Sequence, residues 1–114
     1  MKTKRHCMAC DLKQDQQLIE KYKEYHAAGN AWPEITKSIK EAGILDMEIY
    51  LTGNRLFMVM EVNETFDFDT KAYMDANNKK VQEWESLMQN FQQELPWAPK
   101  GIKWLPTEQI FKLE

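Results

Sequence analysis

Hydrophobic spacing along the 114 residues runs strand, helix pair, strand, strand, helix, strand. That order predicts an α+β fold, the ferredoxin-like β-α-β-β-α-β sandwich. Three observations carry it. Residues 44–52 (ILDMEIYLT) and 55–62 (RLFMVMEV) flank Gly53-Asn54, a tight hairpin signal. Two segments, 15–27 and 33–42, carry apolar side chains at helical spacing on either side of a short turn. A later stripe of Val81, Trp84, Leu87, Met88, Phe91 and Leu95 has the same spacing and stops before Pro96 and Pro99.

Taken in order, residues 4–12 (KRHCMACDL) read as the first strand. The next segment has Asp15 as N-cap and Leu18, Ile19, Tyr22 and His26 on one face. Gly29 and Asn30 mark the turn within Ala27–Ala31. Pro33 suits the first position of a second helix, where its missing N–H costs nothing, and Glu34 suits the positive end. Ile35, Ile39 and Ala42 form its stripe, and Gly43 stands where a left-handed cap is needed. The first hairpin strand alternates Met47, Ile49 and Leu51 against Glu48, Tyr50 and Thr52. The second is apolar on both faces, as in a central strand covered from both sides. An acidic loop spans 63–68. A helix is expected from about Asp69 to Glu94, interrupted near Ala76-Asn77-Asn78. Residues 97–103 read as a loop and 104–112 as a last strand, whose Pro106 confines its start to an edge or bulge. With helices on one face, the other face is left bare. A homodimer packed sheet on sheet, a dimeric α/β barrel, is the simplest cover.

The length fits a single domain, residues 1–114. Hydrophobic content of 43%, with four Trp, five Phe and seven Met, supplies one modest core. A net charge of -3 argues against a nucleic-acid partner. The apolar runs are too short for a membrane span. The basic start, Met1 to His6, has no apolar stretch after it, so no signal peptide is expected and the cytoplasm is the default location. Cys7 and Cys10 make a C-x-x-C by count, but on a strand residues three apart face opposite sides. Two small structural residues are the plainer reading. The stretch Glu61–Asp69 has no metal-loop spacing.

The sharpest chemical signal is Tyr22-Lys23-Glu24-Tyr25-His26 followed by Trp32-Pro33-Glu34. A helix brings Tyr22 and His26 together, with Cβ atoms about 5–6 Å apart. A phenol beside an imidazole suits a polar ligand that exchanges protons, and His titrates near neutral pH.

Tyr22-x-x-x-His26, Trp32-Pro33-Glu34, Gly43 with Ile49-Tyr50-Leu51, Asn54-Arg55-Leu56-Phe57, the Trp84 helix and Ile110-Phe111 together resemble the L-rhamnose mutarotase family. These are small dimeric sugar epimerases of ferredoxin-like fold, and the resemblance spans nearly the whole chain. It implies that His26 is the general acid and that Tyr22 contacts the sugar. Three departures concern the rest of the site. Met47 stands where the rhamnose enzymes carry Tyr, Trp84-Glu85 replaces a Trp-Trp pair, and two extra residues separate His26 from Trp32. Asp46 to Tyr50, Val81 to Glu85 and Phe91-Gln92-Gln93 look like the branch associated with L-fucose. The implied activity is exchange of α and β anomers of a 6-deoxy-hexose, most simply L-fucose, with L-rhamnose as the alternative. The ring opens to the aldehyde, turns about C1–C2 and closes on the other face. This needs proton transfers and neither metal nor cofactor. Met47, Trp84 and Glu85 are the further expected substrate contacts, Trp84 as a stacking platform. Glu85 and Glu48 both remain candidates for a second proton-transfer group.

Plainer readings stand beside these. Tyr22 and Trp84 also suit core packing, Glu85 suits a solvated helix face, and Trp32, Trp97, Trp104 and His6 read best as structural. Two other classes fit the same fold: a monooxygenase on a dimeric barrel, and a non-catalytic sugar-binding module.

Overall fold

The computed structural model describes residues 2–114. Its elements are β1 (Thr3–Leu12), α1 (Gln16–His26), α2 (Pro33–Glu41), β2 (Ile44–Thr52), β3 (Arg55–Asn63), α3 (Phe68–Ala76), α4 (Lys79–Met88), β4 (Gln92–Gln93) and β5 (Leu105–Pro106). The sheet runs β2-β3-β1-β4, with β5 on the same edge of β1 as β4. All pairings are antiparallel. This is the α+β, ferredoxin-like arrangement that the element order predicts.

Local chemistry explains the boundaries. Asp15 caps α1, accepting from the amides of Gln17 at 2.9 Å and Leu18 at 3.2 Å. Pro33 opens α2, and Gly43 follows it with a φ of 95° that returns the chain to the sheet. Gly53 turns the β2–β3 hairpin at positive φ, so Thr52 pairs with Arg55. The expected interruption near Ala76-Asn77-Asn78 is a break between two helices. Asn78 caps α4, accepting from the amides of Lys80 and Val81.

Two expectations are corrected. The second helical segment ends at Met88, not Glu94. The Asn90 and Phe91 amides turn back onto the Leu87 and Met88 carbonyls, and the Phe91 carbonyl accepts from Lys13 at 2.8 Å. Gln92-Gln93 then pairs with Leu12 and Asp11 as β4. The free edge of β1 offers backbone partners that a longer helix would forgo. Phe91 and Leu95 are buried as expected, but from a turn and a loop. The last strand, expected over 104–112, is only Leu105–Pro106. Pro106 has no N–H to give. Thr107 makes one more backbone bond, to the Cys7 carbonyl, and residues 108–114 form no regular element.

Alternation along β1 and β3 sorts the sheet into two faces. Toward the helices, Leu12, Leu56, Met88 and Phe91 pack with Ile19 and Tyr22 of α1. A second cluster joins Ile44, Met58, Met60 and Val62, with Ile39 of α2 against it. Ile49 and Trp104 touch both clusters. The other face carries exposed Tyr50 and Phe57, an Asp11–Arg55 ion pair at 2.8 Å under Trp97, and an Arg5–Glu61 pair at 3.6 Å. Cys7 is exposed and Cys10 buried, on opposite faces as the strand reading requires.

Candidate active site

The last turn of α1 builds the site. Ile19 and Tyr22 are the buried residues of this helix, which fixes its rotation against the sheet. Tyr22 is only 3% exposed, in contact with the Phe91 ring edge-on at 6.1 Å. One turn on, His26 is the final helical residue and is exposed, with one ring face and its Nδ1 side covered by Tyr22. Its ring stacks on the phenol of Tyr22, with centroids 4.2 Å apart and planes at 30°.

The His26 Nδ1 lies 2.8 Å from the Tyr22 carbonyl oxygen. A carbonyl only accepts, so Nδ1 carries the hydrogen and donates it. Nε2 is therefore the nitrogen left to take up and release protons. Burial beside the aromatic rings pushes the imidazole pKa below its ordinary 6.5, and the bond to the Tyr22 carbonyl partly opposes this. Near neutral pH the resting form is neutral, with the Nε2 lone pair available. Burial, partly opposed by a hydrogen bond from Gln92, pushes Tyr22 up to about 12, so the phenol keeps its proton.

An aromatic wall completes the arrangement. Trp84 of α4 meets His26 edge-on at 5.4 Å and Tyr25 at 6.2 Å. Trp32 reaches Trp84 at 5.1 Å. The turn between them is held by Asn30, whose backbone amide donates to the Ala27 carbonyl and whose side-chain amide donates to the Glu24 carbonyl, both at 2.9 Å. The longer His26–Trp32 segment thus closes into a hydrogen-bonded turn that delivers Trp32 to the site.

Of the residues expected from sequence, the structure brings Tyr22, His26 and Trp84 together. Met47 lies elsewhere, half-buried against the second core cluster. Glu85 is exposed on α4 and faces α3. Gln82 approaches its carboxylate at 3.5 Å, while burial and nearby Asp75 raise its pKa against the lowering effect of Lys71. Glu48 is exposed in β2, on the sheet face away from α1. Neither carboxylate hydrogen-bonds to Tyr22 or His26 among the described residues. His6 belongs to a separate cluster with Phe66 and Phe68. Among the described residues no group of three His, Cys, Asp or Glu is arranged to hold a metal. A cavity of about 460 Å³ between α2 and the α3–α4 junction, lined by Ser38, Glu41, Tyr73 and Asn77 among others, shares no residue with this cluster.

One residue escapes the sequence reading. Gln92 of β4 is buried and donates through Nε2 to the Tyr22 hydroxyl at 3.4 Å. Its segment, Phe91-Gln92-Gln93, carries part of the family resemblance. Read as the end of a helix, though, Gln92 has no route to Tyr22.

Comparisons with known proteins identify the family. Residues 5–113 match the family model of L-rhamnose mutarotase. The chain is 41% identical to an L-fucose mutarotase of Xanthomonas campestris, over 99% of this chain and 90% of the relative. It is 36% identical to a protein of Dictyostelium discoideum over 97% of this chain and 90% of that relative. The crystal structure of an L-rhamnose mutarotase from Formosa agariphila superposes with a TM-score of 0.69 at 26% identity, covering 97% of this chain and 99% of that one. The chain is an aldose mutarotase, an isomerase acting on carbohydrates. Within that class it belongs to the L-rhamnose mutarotase family.

Proposed function

We propose that the enzyme exchanges the α and β anomers of a 6-deoxy-hexose, L-fucose in preference to L-rhamnose, with His26 as its proton-transfer residue. The observation that carries this reading is the locked imidazole: Nδ1 is tied to the Tyr22 carbonyl at 2.8 Å and the ring is stacked at 4.2 Å. Starting neutral, Nε2 takes the proton of the anomeric hydroxyl. The C1–O5 bond breaks, a C1 aldehyde forms, and the imidazolium delivers that proton to the ring oxygen. After rotation about C1–C2 the steps reverse. His26 is thus base and acid in turn, and the general-acid role implied by the family is the second half of its cycle. Positioned groups of this kind contribute typically about 10²–10⁴-fold.

Tyr22 and Trp84 contact the sugar in this reading, Trp84 offering an aromatic surface to its C–H face. Identity to the L-fucose mutarotase supports fucose, while the family model and the solved structure keep L-rhamnose as the alternative. Met47 and Glu85, where the rhamnose enzymes carry Tyr and Trp, lie outside the Tyr22–His26–Trp84 cluster, so their proposed part in preference is carried by those sequence departures alone. A homodimer through the face bearing Tyr50 and Phe57 belongs to the same proposal.

Saturation-transfer NMR on the anomeric protons of both sugars tests it. Catalytic amounts of protein are expected to speed exchange, more for L-fucose. A folded protein that speeds neither sugar overturns the reading. Replacing Met47→Tyr together with Glu85→Trp is expected to shift the preference toward L-rhamnose. Unchanged preference with activity retained removes these two positions from specificity.

A further inference from the structure

We infer that Gln92 is a positioning residue for His26, acting through Tyr22. The inference rests on the proposed role of His26 and extends it to a residue 70 positions away in sequence. Tyr22 holds the imidazole twice. Its carbonyl fixes which nitrogen carries hydrogen, and its ring is the platform on which the imidazole stacks. The carbonyl is fixed by the helix. The ring is confined by the core packing around it, and what remains to be fixed is its hydroxyl end.

Gln92 holds it. Its amide reaches the Tyr22 hydroxyl at the sheet end of the phenol, in a buried setting where a hydroxyl without a partner is costly. The amide itself sits on rigid ground. Gln92 pairs with Leu12 on the central strand, and the neighbouring Phe91 carbonyl accepts from Lys13. Phe91 also packs edge-on against the same phenol. The early end of α4 puts this anchor in place: the chain leaves the helix at Met88 to lie along β1, and that turns Gln92 inward. A line of contact therefore runs from the sheet through the Gln92 amide and the Tyr22 ring to the His26 imidazole. Through it Gln92 sets the direction of Nε2 without itself touching substrate.

The test is a double-mutant cycle on the full-length protein, read by anomer exchange and by NMR titration of His26. Gln92→Met keeps the chain length and removes the donor. We expect it to slow exchange at least threefold and to raise the His26 titration midpoint toward 6.5, because a loosened stack uncovers the one imidazole face that Tyr22 shields. In a Tyr22→Phe background, which lacks the hydroxyl, the same replacement is expected to change the rate by less than twofold. A Gln92→Met protein that exchanges at the parental rate overturns the inference. So does one that loses the same factor with and without the Tyr22 hydroxyl, since that is a general structural effect. Gln92→Leu, which also lacks the donor and carries no charge into the buried site, serves the cycle if the Met variant fails to fold. If the parent protein speeds no exchange, the proposed function fails, while the His26 titration still decides whether Gln92 positions the imidazole.

Discussion

At the residue scale, the proposed role of His26 predicts both a rate and a pH profile. Removing the imidazole in His26→Ala is expected to slow anomer exchange at least about tenfold, toward the range of positioned acid–base groups. Exchange at the parental rate would show that another group moves the proton. Because burial against its neighbours lowers the His26 pKa below 6.5, the neutral form, the base of the proposed mechanism, persists at neutral pH and is lost as pH falls through that lowered value. The effect on stability has the same sign. Between the folded pKa and about 6.5 the unfolded chain binds the extra proton and the folded chain does not, so stability rises with pH across that window. His26→Ala is expected to flatten this slope in urea titrations run from pH 5 to 7; an unchanged slope would assign it to other groups. Tyr22 and His26 were legible in the sequence because their contact is local, one helical turn. Gln92 was not, because its contact with Tyr22 depends on where a strand edge captures the chain.

At the element scale, the junction between α2 and β2 has little room for change. Gly43 has a φ of 95°, and a Cβ built there meets the Asn63 amide oxygen at 2.8 Å. Asn63 is not free to move aside. Its backbone amide donates to the Gly43 carbonyl at 2.9 Å, and its side-chain oxygen accepts from Thr65. Gly43→Ala is expected to cost about 1–3 kcal/mol, as left-handed strain plus a displaced amide. Chemical denaturation measures this directly, and a loss below a few tenths of a kcal/mol would mean the junction relaxes. This boundary was readable in advance, as were the Asp15 cap and the Gly53 hairpin, because each rests on chemistry within a few residues. The ends of α4 and of the last strand were misread for the opposite reason. Apolar spacing continues through Phe91 and Leu95, yet their burial comes from tertiary docking after the helix has stopped.

At the scale of the whole molecule, the two sheet faces differ in what covers them. The helices cover one. On the other, Tyr50 and Phe57 are exposed, paired across β2 and β3, with charged pairs at either end of the strands. The chain's end is also uncovered: Ile110, Phe111 and Leu113 are 89%, 74% and 82% exposed. Single exposed apolar residues are ordinary, but contiguous ones mark contact surfaces. A two-fold axis through the open face would cover both copies of it at once. Sedimentation equilibrium is therefore expected to give the mass of two chains. Tyr50→Glu with Phe57→Glu is expected to give the mass of one, because like charges would then face each other across the axis. Far-UV circular dichroism should be unchanged, since neither side chain belongs to the helix-side clusters. A parent protein sedimenting as one chain would remove the dimer from the proposal. A double variant that still sediments as two chains would place the contact on another surface, with the exposed residues 110–113 next to be replaced. Anomer exchange measured on the one-chain variant then separates two designs. Full activity would mean that each copy carries a complete site around Tyr22 and His26, and lost activity in a folded monomer would mean that the site needs its neighbour.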